Sequence, residues 1–120
     1  MNPLQGCALQ LEVDEVLEYG ATAPVLFAGH TRSGEHYLVV HAAGDDRTGT
    51  WMCAPITECA LAFVRNGRAE VRDAFAHSAT GTVDIVTIAP DGQCTESLKL
   101  CNELRDVDLP TIVCHPRLCA

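Results

Sequence analysis

The feature that most constrains the fold is a series of short apolar runs separated by clusters of turn residues. Runs rich in strand-forming residues occupy residues 25–28, 37–40, 50–53 and 83–88, and each has the length of a strand rather than that of a helix. Gly34 lies in the short polar link between the first two runs. We therefore predict an antiparallel hairpin that the third run extends into a meander, and a further strand over the fourth run.

A helix is predicted between the third and fourth runs. The side-chain oxygen of Thr57 can cap a helix over residues 58–66, and Gly67 supplies a left-handed stop. This segment is apolar on nearly every side, which predicts that it is covered by lying across the sheet. One or two further helical turns are expected over residues 70–76.

The remaining segments are less regular. Residues 9–13 alternate with period two and favour a strand, whereas residues 94–104 are ambiguous because Leu98, Cys101 and Leu104 have the spacing of a helix face. Residues 109–114 are expected to be extended. The predicted fold class is α+β, with an antiparallel β-meander or sheet of about five strands packed against one main helix and short helical turns. A chain of 120 residues is expected to form a single domain, residues 1–120.

Charge is unevenly distributed along the chain. Sixteen Asp and Glu residues against eight Lys and Arg residues give a net charge of -8, so we expect no direct binding to a nucleic-acid backbone or to a membrane surface. The acidic residues are concentrated near the N-terminus and a basic stretch lies near the predicted helix. Together they form a candidate surface for a protein partner: Glu12, Asp14, Glu15, Glu18, Arg65, Arg68 and Arg72.

Cysteine is unusually frequent, with seven residues in 120. The count is odd, no secretory signal is expected, and close cysteine pairs are absent, so neither a disulfide framework nor a typical zinc site is predicted. We interpret the cysteines as thiols that pack in a core with few aromatic side chains, and we expect no cofactor. A C-terminal cluster that binds zinc or undergoes redox chemistry is an alternative: Cys94, Cys101, Cys114, His115 and Cys119.

Candidate catalytic groups are scattered. The predicted hairpin brings His30 and His36 to one end, where two imidazoles can bind a divalent metal or exchange protons. Cys53 has His36 or His41 on the neighbouring strand as a potential base. The sequence contains no phosphate-binding loop, serine-hydrolase elbow or HExxH metal motif, and no local nucleophile signature surrounds a cysteine. We therefore assign no catalytic residue.

Part of the chain carries a recognisable pattern. It runs from PVLF at residues 24–27 through YL at residues 37–38 and Trp51 with Pro55-Ile56 to VRDAF at residues 71–75. In these residues the chain resembles a set of small uncharacterised bacterial proteins. The resemblance implies a small α+β domain that opens with an antiparallel meander, and it implies no activity.

These observations favour a small acidic cytoplasmic protein-interaction or regulatory module without catalytic activity, such as an inhibitor, an immunity-type protein or an operon accessory factor. Two alternatives are a metal- or thiol-dependent protein that uses the C-terminal cysteines, and a small hydrolase or transferase centred on Cys and His. A sheet of short strands leaves edges and an open face, so we expect a bound protein partner or a homodimer.

Overall fold

The computed structural model describes residues 4, 7–20, 24–44 and 49–115. These residues form a six-stranded antiparallel sheet in which each strand pairs with the next in sequence. The strands are β1 (Glu12–Tyr19), β2 (Pro24–His30), β3 (His36–Ala43), β4 (Gly49–Pro55), β5 (Thr82–Ile88) and β6 (Cys94–Leu100). Two helices, α1 (Glu58–Arg65) and α2 (Val71–Ala76), connect β4 to β5, and two short 3-10 turns, Cys101–Glu103 and Asp106–Asp108, follow β6.

The predicted meander of β2, β3 and β4 is confirmed. Side chains alternate between the two faces along a strand, and in these three strands the side chains on both faces are buried. Leu26 and Ala28 face the helices, whereas Phe27 between them packs on the opposite face. Continuous apolar runs therefore mark the centre of this sheet.

One face of the sheet is covered by the two helices. Leu61 and Val64 of α1, with Val71 and Phe75 of α2, pack against the strands in what we call the helix-side core. The extended segment after the 3-10 turns adds Leu109 and Cys114 to the same core.

The ends of α1 follow the prediction, but its burial does not. The Thr57 hydroxyl accepts a hydrogen bond from the Ala60 backbone N–H at 3.1 Å, and Gly67 has a φ of 72°. Phe63 is nevertheless 46% exposed and Cys59 is exposed. The expectation that α1 is covered on nearly every side is wrong, because a helix lying on a sheet contacts it along one stripe.

The opposite face of the sheet is covered by the N-terminal segment, residues 4 and 7–11. The residues buried on this face are Leu4, Cys7, Leu11, Phe27, Tyr37, Val39, Trp51, Cys53 and Val86. Cys7 forms a disulfide with Cys94 at the start of β6, and the Leu9 N–H donates to the Glu96 carboxylate at 3.0 Å. Since the same segment continues into β1, it connects the two edge strands of the sheet.

The strand count is six rather than the predicted five, because residues 94–100 form β6. A turn over residues 89–92 follows β5, and its Gly92 N–H donates to the Ala89 carbonyl at 2.8 Å. After this turn β6 pairs antiparallel with β5, so that Ile88 lies opposite Cys94 and Thr82 lies opposite Leu100. The helical spacing that begins at Leu98 corresponds to no α-helix.

The expectation that the cysteines are thiols is wrong for Cys7 and Cys94, which form the disulfide. Cys53 is buried as a free thiol, and Cys114 is buried in the helix-side core, as expected for cysteines that pack as small apolar side chains. Within the described ranges, none of the helices has the length and apolar composition needed to cross a membrane.

Candidate functional site

The predicted acidic and basic residues partly contact each other within the chain. The Arg65 Nε donates to the Glu15 Oε1 at 2.7 Å, and a second guanidinium nitrogen of Arg65 also contacts this carboxylate. Arg72 lies 3.3 Å from the Asp106 carboxylate, whereas Arg68 is exposed. The predicted partner surface is therefore not one free charged patch, because Glu15 and Arg65 connect β1 to α1.

The histidines of the β2–β3 hairpin are surrounded by carboxylates. His30 and His36 lie opposite each other at the same end, as predicted, with ring centroids 6.2 Å apart. The His30 Nδ1 is 2.7 Å from Asp14 and its Nε2 is 3.3 Å from Glu12, while the His36 Nε2 is 3.0 Å from Glu58. These contacts engage both ring nitrogens of His30, and they give Glu12 and Asp14 partners inside the chain.

A cavity of about 590 Å³ lies beside His30 and is also lined by Gln10, Leu11, Glu12 and Arg32. It is a wide surface depression at the start of β1. Two of its polar side chains, Glu12 and His30, already contact each other. None of the lining residues is a Ser, Thr or Cys, so the depression supplies no pair of a hydroxyl or thiol nucleophile and a base.

The predicted C-terminal cysteine cluster is not assembled by the described residues. Cys94 is bonded to Cys7 on the face opposite the helices. Cys101 lies instead beside the helix-side core, where its Sγ is 3.4 Å from the Ser78 Oγ. Two of the predicted ligands are thus separated by the sheet.

The other members of that cluster also have separate surroundings. Cys114 is buried in the helix-side core, and the His115 ring and backbone N–H both contact Glu18, each at 3.1 Å. Cys119 lies outside the described residues. Among the residues that the structure describes, no group of three or more His, Cys, Asp or Glu side chains is arranged to hold a metal ion.

Cys53 is not placed as a nucleophile. His36 points to the helix side of the sheet and Cys53 to the opposite side, and His41 stacks on Trp51 with ring centroids 4.6 Å apart. Burial, followed by the charges of Asp84 and Glu96, raises the pKa of the Cys53 thiol far above its usual range. The thiolate needed for attack is therefore strongly disfavoured.

The backbone of β6 presents free hydrogen-bonding groups at the outer edge of the sheet. The Cys101 N–H, just after β6, donates to the Gly81 carbonyl on the β5 side at 2.9 Å. Because the direction of backbone N–H and C=O groups alternates along a strand, those of Glu96, Leu98 and Leu100 point away from β5. The Leu100 N–H is capped by the Glu103 carboxylate at 2.8 Å. In the described part of the chain, the outward N–H groups of β6 beyond Cys94 that remain uncapped are therefore those of Glu96 and Leu98.

The side chains of β6 are as accessible as its backbone. Every residue of the strand after Cys94 is exposed, including Leu98 at 64% and Leu100 at 52%. These two leucines point to the face opposite the helices, since Leu98 pairs with Asp84, which pairs with Cys53. An accessible edge strand with apolar side chains is a template for pairing with another chain.

The other edge of the sheet is different. The pairing of β1 with β2 has register shifts at three places, and β1 carries four carboxylates among its eight residues. Bulges and charges are the usual means by which proteins prevent pairing at an edge. Among the residues that the structure describes, the edge open to pairing is therefore β6.

Two carboxylates lie next to the exposed leucines of β6. Asp84 pairs with Leu98, and Glu96 pairs with Val86, so both acids lie on the leucine face in diagonal positions. Burial, and then the charge of Glu96, raise the pKa of the Asp84 carboxyl above its ordinary value. The surface formed by Asp84, Glu96, Leu98 and Leu100 is called the β6 surface below.

Comparison with known proteins places the chain in a family but supplies no activity. A model of a family of unknown function, DUF6575, matches residues 5–114. The chain belongs to this family. No curated protein and no solved structure matches it. The chemistry of this DUF6575 member therefore has to be inferred from its own residues.

Sequence reasoning missed the β6 surface because Glu96 interrupts the apolar alternation of residues 94–100, while Leu98, Cys101 and Leu104 have the spacing of a helix face. The signal that was present is the turn over residues 89–92, which directly follows the most β-branched strand of the chain. A turn of this type between a strand and an exposed polar segment indicates a hairpin with an edge strand.

Proposed function

We propose that this protein is a non-catalytic protein-binding module that accepts an extended segment of its partner on the free edge of β6. The observation that carries the proposal is the pair of uncapped backbone positions, Glu96 and Leu98, beside the exposed side chains of Leu98 and Leu100. In binding by strand addition, backbone hydrogen bonds supply affinity and alternate side chains supply specificity.

The edge has a defined length. An antiparallel segment forms hydrogen bonds with the N–H and C=O groups of Glu96 and Leu98. Glu103 occupies the next outward N–H, that of Leu100, and the disulfide fixes the other end of β6 at Cys94. The site therefore accepts a short segment, on the order of five residues, rather than a long strand.

A pair of substitutions at one residue separates the backbone contribution from the side-chain contribution. Leu98→Ala removes the apolar side chain and keeps the outward N–H. Leu98→Pro removes both and leaves the hydrogen bonds to β5 in place, because proline is tolerated in an edge strand when its nitrogen faces outward.

The test uses nine-residue peptides selected from a displayed library on the wild-type protein. We expect Leu98→Ala to weaken their binding about tenfold and Leu98→Pro to abolish it, since the two backbone contacts carry most of the affinity. Val113→Ala is the matched control, because Val113 is also 64% exposed but lies outside β6. Peptides that bind the Leu98→Pro protein as tightly as the wild type, with folding confirmed by circular dichroism, would refute strand addition.

A further inference from the structure

We infer that the segment bound by β6 is basic as well as apolar: it places an apolar side chain opposite Leu98 and a Lys or Arg side chain opposite Glu96. This inference rests on the proposed function. It adds the chemical class of the partner, which the exposed edge alone does not define.

The register of the sheet determines the pattern. Glu96 and Leu98 are two residues apart and point to the same face. In an antiparallel partner, the residue opposite Leu98 precedes the residue opposite Glu96 by two positions. The recognised segment therefore reads apolar, any residue, basic in the N- to C-terminal direction.

The described side chains of Asp84 and Glu96 give this face a negative charge. The charge of Glu96 adds to burial in raising the pKa of the Asp84 carboxyl. Burial is the main cause of the raised pKa of Tyr37, and the charge of Asp84 is the second cause. In the described part of the chain, neither carboxylate has an ion pair with a Lys, Arg or His side chain. A partner cation relieves this repulsion.

The cationic side chain of β6, that of Lys99, lies on the face opposite Glu96 and Leu98. Lys99 lies one residue from Leu98 and therefore faces the helix side of the sheet. There it lines a groove with Asp108 and contributes to the low pKa of the Asp108 carboxyl, after the contribution of Arg105. The β6 surface thus has no basic side chain of its own strand to neutralise its acids.

The same geometry disfavours a second copy of this chain as the occupant. Self-pairing through the uncapped groups of Glu96 and Leu98 places each Glu96 opposite the Leu98 of the other copy. It also brings two Asp84–Glu96 pairs together between chains that each have a net charge of -8. The two Glu96 carboxylates would then be diagonal neighbours across the new strand pair, where like charges repel each other, so the edge favours a different, basic chain.

The test compares three nine-residue peptides with the same alternating Thr and Val residues and one variable position, which is Lys, Gln or Glu. The variable residue follows a Val by two positions. Isothermal titration calorimetry is expected to give affinities in the order Lys, Gln, Glu, with about a tenfold or larger difference between the Lys and Glu peptides at low salt. The difference should shrink at about 1 M salt, where charges are screened beyond roughly 3 Å.

A double variant, Asp84→Asn with Glu96→Gln, removes the charges and keeps the shapes. The glutamine side chain retains an oxygen that can accept the hydrogen bond from the Leu9 N–H, which Glu96 accepts in the wild type. We expect this variant to bind the three peptides with equal affinity. Equal binding of the three peptides to the wild type, or tighter binding of the Glu peptide, would overturn the inference while leaving strand addition intact.

Two other outcomes have distinct meanings. Absence of binding by all three peptides, with no library peptide sensitive to Leu98→Pro, overturns the proposed function itself. A wild-type dimer in light scattering that dissociates in the Leu98→Pro protein overturns the assignment of a basic partner, because the edge would then be occupied by a second copy.

Discussion

Asp84 shows how one residue joins the stability of the sheet to the proposed binding surface. Its carboxyl is half-buried on β5, and burial and the charge of Glu96 both oppose its ionisation. The folded protein therefore holds this proton more tightly than the unfolded chain does. Ionisation of Asp84 therefore lowers the stability of the fold.

Replacing Asp84 by Asn is predicted to raise stability at neutral pH. The raised pKa means that the wild type loses stability as the pH rises from the ordinary Asp value of 3.8 through the folded-state pKa, and Asn has no proton to lose. The free energies of unfolding of the two proteins should therefore converge below that ordinary value and diverge above it. Urea denaturation at a series of pH values measures the difference.

Asp108 provides a control, because the pKa of its carboxyl is lowered whereas that of Asp84 is raised. The backbone N–H of Arg105, and then its side chain, donate hydrogen bonds to Asp108 and lower the pKa of this carboxyl. Its ionised form stabilises the fold above the ordinary Asp value, and that contribution is lost as the pH falls through the folded-state pKa. Asp108→Asn should thus lower stability at neutral pH. A gain in stability for both variants would contradict the electrostatic explanation.

At the scale of secondary-structure elements, the central strands and the capped helix α1 were predictable, whereas the edge strand β6 was not. β2, β3 and β4 are buried on both faces, so each appears in the sequence as a continuous apolar run. β6 is accessible on both faces and therefore has no such run. Its strand conformation depends on pairing with β5, which is information that a local pattern does not contain.

The cap of α1 gives a prediction at this scale. Thr57→Ala removes the hydrogen bond to the Ala60 N–H and should lower the free energy of unfolding by about 1 kcal/mol, within a range of roughly 0.5–2 kcal/mol. Thr57→Ser keeps the hydroxyl and should retain most of the wild-type stability. Urea denaturation of the two variants, side by side, checks the result. An equal loss in both would mean that the methyl group, and not the cap, is responsible.

At the scale of the whole molecule, the N-terminal segment unites the two edges of the sheet. It leads into β1, and the disulfide from Cys7 fixes it to β6 across a sequence separation of 87 residues. Sequence reasoning missed this pair because only the sheet topology brings the two cysteines together. Likewise, the acidic β1 and the basic end of α1 were interpreted as an outward surface, but the fold brings Glu15 against Arg65.

Removal of the disulfide is predicted to destabilise the whole fold. Cys7→Ser with Cys94→Ser should lower the free energy of unfolding by about 2–4 kcal/mol, because a cross-link over so long a loop restricts the unfolded chain. The wild type in dithiothreitol should behave like this double variant in urea denaturation. Cys59→Ser, at an exposed free thiol of α1, should have little effect. A wild type whose stability does not respond to the reductant would contradict the assigned role of the disulfide.

The central claim is that a partner segment pairs with the outer side of β6, and amide hydrogen exchange read by NMR tests it most directly. In the unbound protein, the outward amides of Glu96 and Leu98 should exchange fast, while those of Ser97 and Lys99, which point to β5, should be protected. Binding of the basic, apolar peptide should slow exchange at Glu96 and Leu98 by about tenfold or more. Tight peptide binding that leaves these two amides unprotected would contradict the account.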